Sequence, residues 1–451
     1  MKAIAKKSLL SGHITVPGSK SHTIRALILA AMAEGTSHIS NPLPSNDCLS
    51  TAAAVRKVGA EVDFGKEGNS VWTVRGAGSG LHLPDGPIDV GNSGSLMYFL
   101  CPVLSTLKGE CVFTGDESIC RRPVNHLIDA LCQFGAKGRS LKTGPDGSPG
   151  TTPPFSFCGP IDVNKKLVTE GALSQYISGF MMAASRLNGT LNMELTNPKE
   201  TPYLTMTKLW LESVGVPVTI SPDFKHISVT GPVPFKAFDR TVPSDWEGIA
   251  FPLLAALISG SQIIIDNVDA SGSQGDDKIV EVLQSAGADI DWRREEGQLI
   301  VRGGKPLSTK GLPGGQLVIE MSAFPDAICA LAVAACFMEG KVIFTDIDIC
   351  RKKETDRIKA MVSELSKLGA QLVDEGDRLV VYGKGELPGA GLHGAEVESY
   401  KDHRIVMALS CLGLGLNEGE KIIVNDAEWC SVTFPNFFEA MNKLGAGFET
   451  I

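Results

Sequence analysis

The residues best placed to do chemistry stand at the beginnings of apolar helices. In the stretch Val16–Arg25, VPGSKSHTIR, Pro17 and Gly18 break any preceding strand, and an alanine-rich run from Thr23 to Glu34 follows until Gly35 ends it. Lys20 and Ser21 therefore fall at a helix N-terminus, with Arg25 about one turn in. Free N–H groups and the positive end of the helix dipole favour an anion there, and the lysine and arginine add two full charges. A solvated basic helix start is the alternative for this stretch taken alone. A Walker-type phosphate loop is excluded, because its second glycine falls on Pro17 and no glycine precedes Lys20.

Polar residues open five more such runs: Asn92–Ser95, Ser174–Gln175, Ser244–Asp245, Asp326 and Asp402–Arg404. The bodies behind them, such as Ile249–Ile258 and Ala327–Phe337, are apolar nearly all round and should be buried. Ordinary capping explains any one Asp or Ser at such a place. Six together would make a strong anion trap. Glu354, in CRKKETDRIK, is surrounded by Arg351, Lys352, Lys353 and Arg357. It belongs either to a solvated helix with i,i+3 charge pairs or to a carboxylate site set among cations. His22 and His403 neighbour these stretches and are read as structural.

The elements that must position these residues recur. An amphipathic helix closed by an apolar residue, then Gly, then Ala or Val, appears around Gly59, Gly135, Gly215, Gly287, Gly369 and Gly445. Successive glycines are 76, 80, 72, 82 and 76 residues apart. So even a spacing marks an internal repeat, and a glycine after the last helical turn suits a left-handed C-cap. The parsing is six strand–helix–strand–helix–strand units, grouped three and three. The polar loop Thr143–Pro154 falls within a unit; the boundary is set by symmetry, with three units ending near Gly215 and Val242–Ser244 preceding the fourth.

With 451 residues, 43% of them hydrophobic, the chain is long enough for two or three cores. A net charge of −9 argues against nucleic acid or an anionic membrane surface as the main partner. The 11 cysteines form no CxxC pair and have no histidine at metal-ligand spacing, which suits a reducing compartment and predicts no metal site. The N-terminal stretch has no signal-like apolar core, and the longest apolar run, Ala327–Met338, is far short of the roughly 20 residues a bilayer needs. The expectation is a cytoplasmic protein.

The chain resembles the enolpyruvyl transferase family, and within it the EPSP synthase branch. The resemblance rests on PGSKS at 17–21, GNSG at 91–94, Arg122-Pro123 after Gly115-Asp116, Ser174-Gln175, Pro202-Tyr203, Pro325-Asp326-Ala327, KETDR at 353–357, DHR at 402–404 and Thr433-Phe434-Pro435. It implies an α/β (α+β) fold, a two-domain inside-out α/β barrel of six βαβαββ-type repeats. One domain would be residues 20–240 with repeats 1–3; the other would be 1–19 with 243–451 and repeats 4–6.

The chemistry so implied is transfer of the enolpyruvyl group of phosphoenolpyruvate to the 5-hydroxyl of shikimate 3-phosphate, with release of phosphate. A proton must reach the methylene carbon, the hydroxyl must lose its own, and both steps reverse in the elimination. By resemblance, Asp326 and Glu354 are the acid/base pair, assisted by Lys20. Lys20, Asn92, Gly94, Arg122, Gln175, Arg357 and Arg404 would hold phosphoenolpyruvate; a planar guanidinium meets carboxylate and phosphate with paired bonds. Ser21, Arg25, Ser174, Gln175, Tyr203, Asp326 and Lys353 would hold the acceptor. No metal, organic cofactor, nucleic acid or membrane partner is implied, and a monomer is expected.

Departures from the family pattern lie mainly on the acceptor side. Leu173 and Glu200 replace two serines that hold the acceptor's phosphate, Ile349 replaces an acceptor-contacting asparagine, Val432 a lysine near phosphoenolpyruvate, and Tyr98 an arginine. A carboxylate beside a phosphate repels it, so Glu200 does not fit that role unless it points away. Three alternatives therefore stay open: the phosphorylated acceptor, a different carboxylated alcohol without that phosphate, and a non-catalytic anion-binding relative. The sister reaction on a UDP-amino sugar fits less well, because Lys20 is followed by Ser21 rather than asparagine and Cys120 stands too late relative to the arginine.

Overall fold

The computed structural model describes residues 1–65, 71–143, 147, 148 and 150–451, so part of the polar loop Thr143–Pro154 lies outside the described residues. The chain divides into two units, Gly18–Val242 and Met1–Pro17 with Pro243–Ile451.

One module shows how the repeat is built. Strand Lys166–Thr169 leads to an inner helix, Ser174–Ala184, then strand Gly189–Leu195, an outer helix, Thr201–Ser213, and strands Val218–Ile220 and His226–Gly231. The two strands flanking the inner helix pair in parallel, because a helical crossover returns the chain in the same direction. The last two join antiparallel, giving the spatial order first, second, fourth, third. Among the described residues there are six four-stranded sheets; four have this order, and in the other two a remote strand takes the first or the fourth place.

Three of those sheets borrow a strand from far along the chain. Asp239–Thr241 lies parallel to Thr36–Ser40 and completes the first module of the Gly18–Val242 unit. In the other unit Ser11–Thr15 lies parallel to Gln262–Asp266, and Ala3–Lys6 sits between Lys421–Val424 and Glu449–Thr450. Two N-terminal strands are thus present, and each serves a different sheet.

The six repeat glycines all carry positive φ, from +87° at Gly215 and Gly369 to +111° at Gly59. Each reverses the chain after an outer helix into the third strand, a conformation costly for any residue with a Cβ. The first inner helix spans Lys20–Met32, with Lys20 and Ser21 in its first turn as the sequence suggests. Ser19 is already extended before it, and Ala33 is extended after it, so the helix ends before Gly35 is reached.

Inner helices are apolar all round because they have no wet face. Every residue of Ile328–Phe337 is buried, as is every residue from Trp246 to Ile258. Each unit has its own hydrophobic core built around three such helices. Truncating a leucine there to alanine costs about 2–5 kcal/mol. With every side of the helix covered, only its N-terminal end is left to carry polar groups. Among the described residues no helix is long and apolar enough to cross a membrane.

Candidate active site

In the unit made of Met1–Pro17 and Pro243–Ile451, the inner helices Trp246–Ser259, Ile328–Phe337 and His403–Leu414 bring their first turns together. Each start has its own aspartate. Asp245 accepts from the Glu247 backbone N–H at 3.1 Å, Asp402 accepts from that of Arg404 at 2.8 Å, and Asp326 sits in the single turn Pro325–Ala327 ahead of the second helix. Arg404 then ties the three starts. Its Nε donates to Asp326 Oδ1 at 3.2 Å, and its Nη2 pairs with Glu247.

Lys353 and Glu354 arrive on the segment before the outer helix Arg357–Lys367, which Asp356 caps through the Lys359 N–H at 3.0 Å. Arg357 is fully buried and meets three carboxylates: Asp402 from Nε at 2.8 Å, Glu354 from Nη2 at 2.7 Å and Asp326 from Nη1. Lys353 Nζ lies 3.1 Å from the other Asp326 oxygen. Burial pushes the Asp326 carboxyl up, but Lys353 and Arg357 outweigh it and hold the group at about 2. Asp326 is therefore a carboxylate at neutral pH. Burial acts against the Arg357 charge, and Asp402, Glu354 and Asp326 more than restore it. Cys350 is pushed up to about 12 by burial, so this nearby thiol stays protonated. Ile349 and Val432 are both buried apolar residues, at 2% and 8% exposure, and supply no side-chain donor.

The Gly18–Val242 unit holds its site residues differently. Lys20, at the first position of its helix, pairs with Asp47 at 3.4 Å. Arg122 donates from Nη2 to Asn92 Oδ1 at 3.1 Å and to Ser118 at 3.3 Å, while Asn92 Nδ2 donates to Asp116 at 2.7 Å. A Cβ on Gly94 would lie 3.3 Å from Arg122 Nη1, so glycine lets the guanidinium pass close to this helix start. Tyr98, in place of the family arginine, is buried and donates to the Pro123 carbonyl at 3.3 Å.

Arg25 joins all three inner helices of this unit. It lies 4.5 Å over the Phe99 ring and donates to Thr207 Oγ1 at 2.8 Å, to Ser178 Oγ at 3.4 Å, and to the carbonyls of Ser21 at 3.0 Å and Tyr203 at 3.2 Å. Tyr203, which the resemblance places on the acceptor, gives its backbone carbonyl to Arg25. Burial pushes Arg25 down to about 9, with Tyr203 and Glu200 acting against it, which still leaves the guanidinium charged at pH 7. Ser174 begins its helix buried, with Gln175 beside it partly exposed. Both the Ser174 N–H and its hydroxyl donate to Glu200 Oε2, at 3.2 and 3.0 Å. Glu200 is 1% exposed and left-handed, at φ +52°. Rather than pointing away from Ser174, its carboxylate satisfies that helix start directly.

Four contributors have no individual role in the sequence reading: Asp402, which appears there only within a polar helix start, and Glu247, Asp47 and Thr207. The first three are acids at or next to helix starts, in DHR, SDWEG and PSND, and that position was the available signal. Thr207 had none, being 182 residues from Arg25.

Comparison with known proteins accounts for the whole chain. The profile of the EPSP synthase (3-phosphoshikimate 1-carboxyvinyltransferase) family matches residues 4–441. A 3-phosphoshikimate 1-carboxyvinyltransferase of Ruminiclostridium cellulolyticum is 35% identical over 446 residues, 99% of each chain. One of Methanocaldococcus jannaschii is 34% identical, covering 99% of this chain and 98% of its own. The EPSP synthase structure of Acinetobacter baumannii superposes with a TM-score of 0.80 at 29% identity, over 100% of this chain and 99% of that one. The enolpyruvyl transferase NikO of Streptomyces tendae shares the fold, with a TM-score of 0.75 at 16% identity over 99% and 98% of the two chains. The βαβαββ modules, the acid and basic residues gathered at the inner-helix starts, and the full-length matches agree: this chain belongs to the EPSP synthase family.

Proposed function

We propose that the protein transfers the enolpyruvyl group of phosphoenolpyruvate to the 5-hydroxyl of shikimate 3-phosphate and releases inorganic phosphate. The observation that carries this reading is the buried Asp326 carboxylate held by Lys353, Arg357 and Arg404, with Glu354 also on Arg357. As held at rest, Asp326 is a weak base. An anionic substrate that draws Lys353 or Arg357 toward its own phosphate or carboxylate raises the Asp326 pKa toward the range where proton transfer is efficient.

On this reading the acceptor hydroxyl adds to C2 of phosphoenolpyruvate as its proton passes to a carboxylate and the methylene carbon gains one. The elimination then removes a proton from the new methyl group and expels phosphate. Asp326 and Glu354 are the acid/base pair and Lys20 assists. Arg122, Arg357, Arg404, Asn92, Gly94 and Gln175 serve phosphoenolpyruvate; Ser21, Arg25, Ser174, Tyr203 and Lys353 serve the acceptor. The domains are 20–240 and 1–19 with 243–451. The enzyme acts as a cytoplasmic monomer on small molecules, without metal or organic cofactor.

One observation favours a second reading, in which the acceptor is a carboxylated alcohol without phosphate: Glu200 already occupies the Ser174 N–H and hydroxyl. The test is product identification. Purified protein given phosphoenolpyruvate and shikimate 3-phosphate should yield equal amounts of phosphate and of an enol ether of the acceptor by mass spectrometry. Phosphate without that ether would overturn the main reading.

A further inference from the structure

Asp402 enters its position by an unusual route. The two residues before it, Tyr400 and Lys401, both have left-handed backbones, at φ +54° and +59°. Neither is glycine, and neither is an Asn or Asp that tolerates this region, so the turn is held against its own preference. Two points on one outer helix grip it. At the first residue of Arg357–Lys367, Arg357 binds Asp402 through Nε at 2.8 Å and Nη2 at 3.4 Å. Seven residues later, on the same helical face, the fully buried Glu364 accepts from the Glu398 backbone N–H at 2.9 Å and from the Tyr400 hydroxyl at 2.7 Å.

Glu364 is itself fixed. Lys367 Nζ lies 2.9 and 2.7 Å from its two oxygens, and Ser363 Oγ lies 3.0 Å from one of them. Burial pushes its carboxyl up, but the bonds from Lys367, Glu398, Tyr400 and Ser363 hold it below the usual carboxylate range. A carboxylate so heavily bonded is a rigid support.

We propose that Glu364 is a positioning residue: it holds the Glu398–Lys401 turn closed and so sets Asp402, and through Asp402 the guanidinium of Arg357 and the backbone of Arg404. Glu364 touches no reacting atom. Its effect on phosphoenolpyruvate rests on the function proposed above, whereas its effect on the turn does not.

The experiment measures two things on the full-length protein. Amide hydrogen exchange reads the turn, and the Michaelis constants for the two substrates read the site. Glu364→Ala should speed exchange across 398–404 by at least about tenfold while the other inner-helix starts keep their protection. It should also raise the KM for phosphoenolpyruvate about tenfold more than that for the acceptor, because a small displacement of binding groups is expensive. Glu364→Gln keeps an acceptor for only one of the two loop donors, because the Glu398 N–H and the Tyr400 hydroxyl meet different oxygens, and should fall between the parent enzyme and Glu364→Ala in both readouts. Adding Lys401→Gly to Glu364→Ala should recover part of the lost affinity, since glycine adopts the left-handed turn unaided. Tyr400→Phe, at an exposed position, should shift exchange the same way by less. Unchanged exchange in Tyr400→Phe and Glu364→Ala, or a fall in kcat and Tm with the KM for phosphoenolpyruvate within about twofold, would overturn the proposal. A parent enzyme that turns over no phosphoenolpyruvate would count against the proposed function alone, leaving exchange to decide the turn.

Discussion

Arg357 and Arg25 are both buried guanidiniums beside inner-helix starts, one in each unit, and their surroundings are opposite. Arg357 meets Asp326, Glu354 and Asp402. Among the described residues Arg25 makes no ion pair; hydroxyls, backbone carbonyls and the Phe99 ring hold it. The helix starts divide in the same way. One unit places its own aspartate at all three, whereas the other has Lys20, the Ser93 cap on Leu96 and a glutamate brought from 26 residues away to Ser174. Carboxylates are favoured at a helix N-terminus and a lysine is not, which is why Lys20 needs Asp47 beside it. The contrast teaches a division of labour. One unit holds buried carboxylates ionised by internal cations, and the other holds a buried guanidinium that, among the described residues, has no direct ion pair.

The strongest way to break this contrast is Arg357→Ala, which leaves buried carboxylates without their cation. Unfolding free energy should fall by about 3–5 kcal/mol and turnover by roughly a thousandfold or more. The same change at Arg25 should cost about 1–3 kcal/mol, the scale of its hydrogen bonds, and act on the acceptor's KM rather than the donor's. Equal effects on both constants from both variants would erase the distinction. Next in size, Asp326→Ala and Glu354→Gln should each cut turnover by at least about a hundredfold; near-normal rates would remove both from the acid/base roles.

A smaller effect sharpens the acceptor side. Glu200→Ser takes the resident carboxylate off Ser174, and should lower the KM for shikimate 3-phosphate by about tenfold while leaving that for shikimate unchanged. The reverse ranking would mean that Glu200 supports the phosphorylated acceptor. Smallest is a pH effect. Asp326 is depressed from 3.8 to about 2, so the stability it contributes is fully present above the unfolded value and is lost as pH falls through the folded one. Melting temperature should fall more steeply between about pH 4 and pH 2 in the parent than in Asp326→Asn. Parallel curves would contradict the depressed value.

Much of this architecture was legible in residue order. The helix-closing glycines disclosed six modules because the chain must reverse there with φ positive, whatever surrounds it. The all-apolar runs disclosed inner helices because nothing else buries every side. The site's charged members were legible as types at helix starts, and their pairings were not. Arg357 reaches Asp402 across 45 residues and Asp326 across 31, and Glu364 reaches Glu398 across 34; no local pattern reports such distances. Glu200 fits a phosphate at this helix start only if it points away, and it points in. A helix start with free N–H groups favours a carboxylate, and Glu200 supplies it. The two N-terminal strands were not legible for a related reason: strands of four and five residues completing remote sheets carry little pattern of their own.

The central claim is enolpyruvyl transfer to a phosphorylated acceptor, and the most direct measurement is phosphate release from phosphoenolpyruvate with shikimate 3-phosphate, with shikimate and with no acceptor, side by side. Rapid release with shikimate 3-phosphate alone is the predicted result. Equal release with shikimate, or none with either, would contradict it.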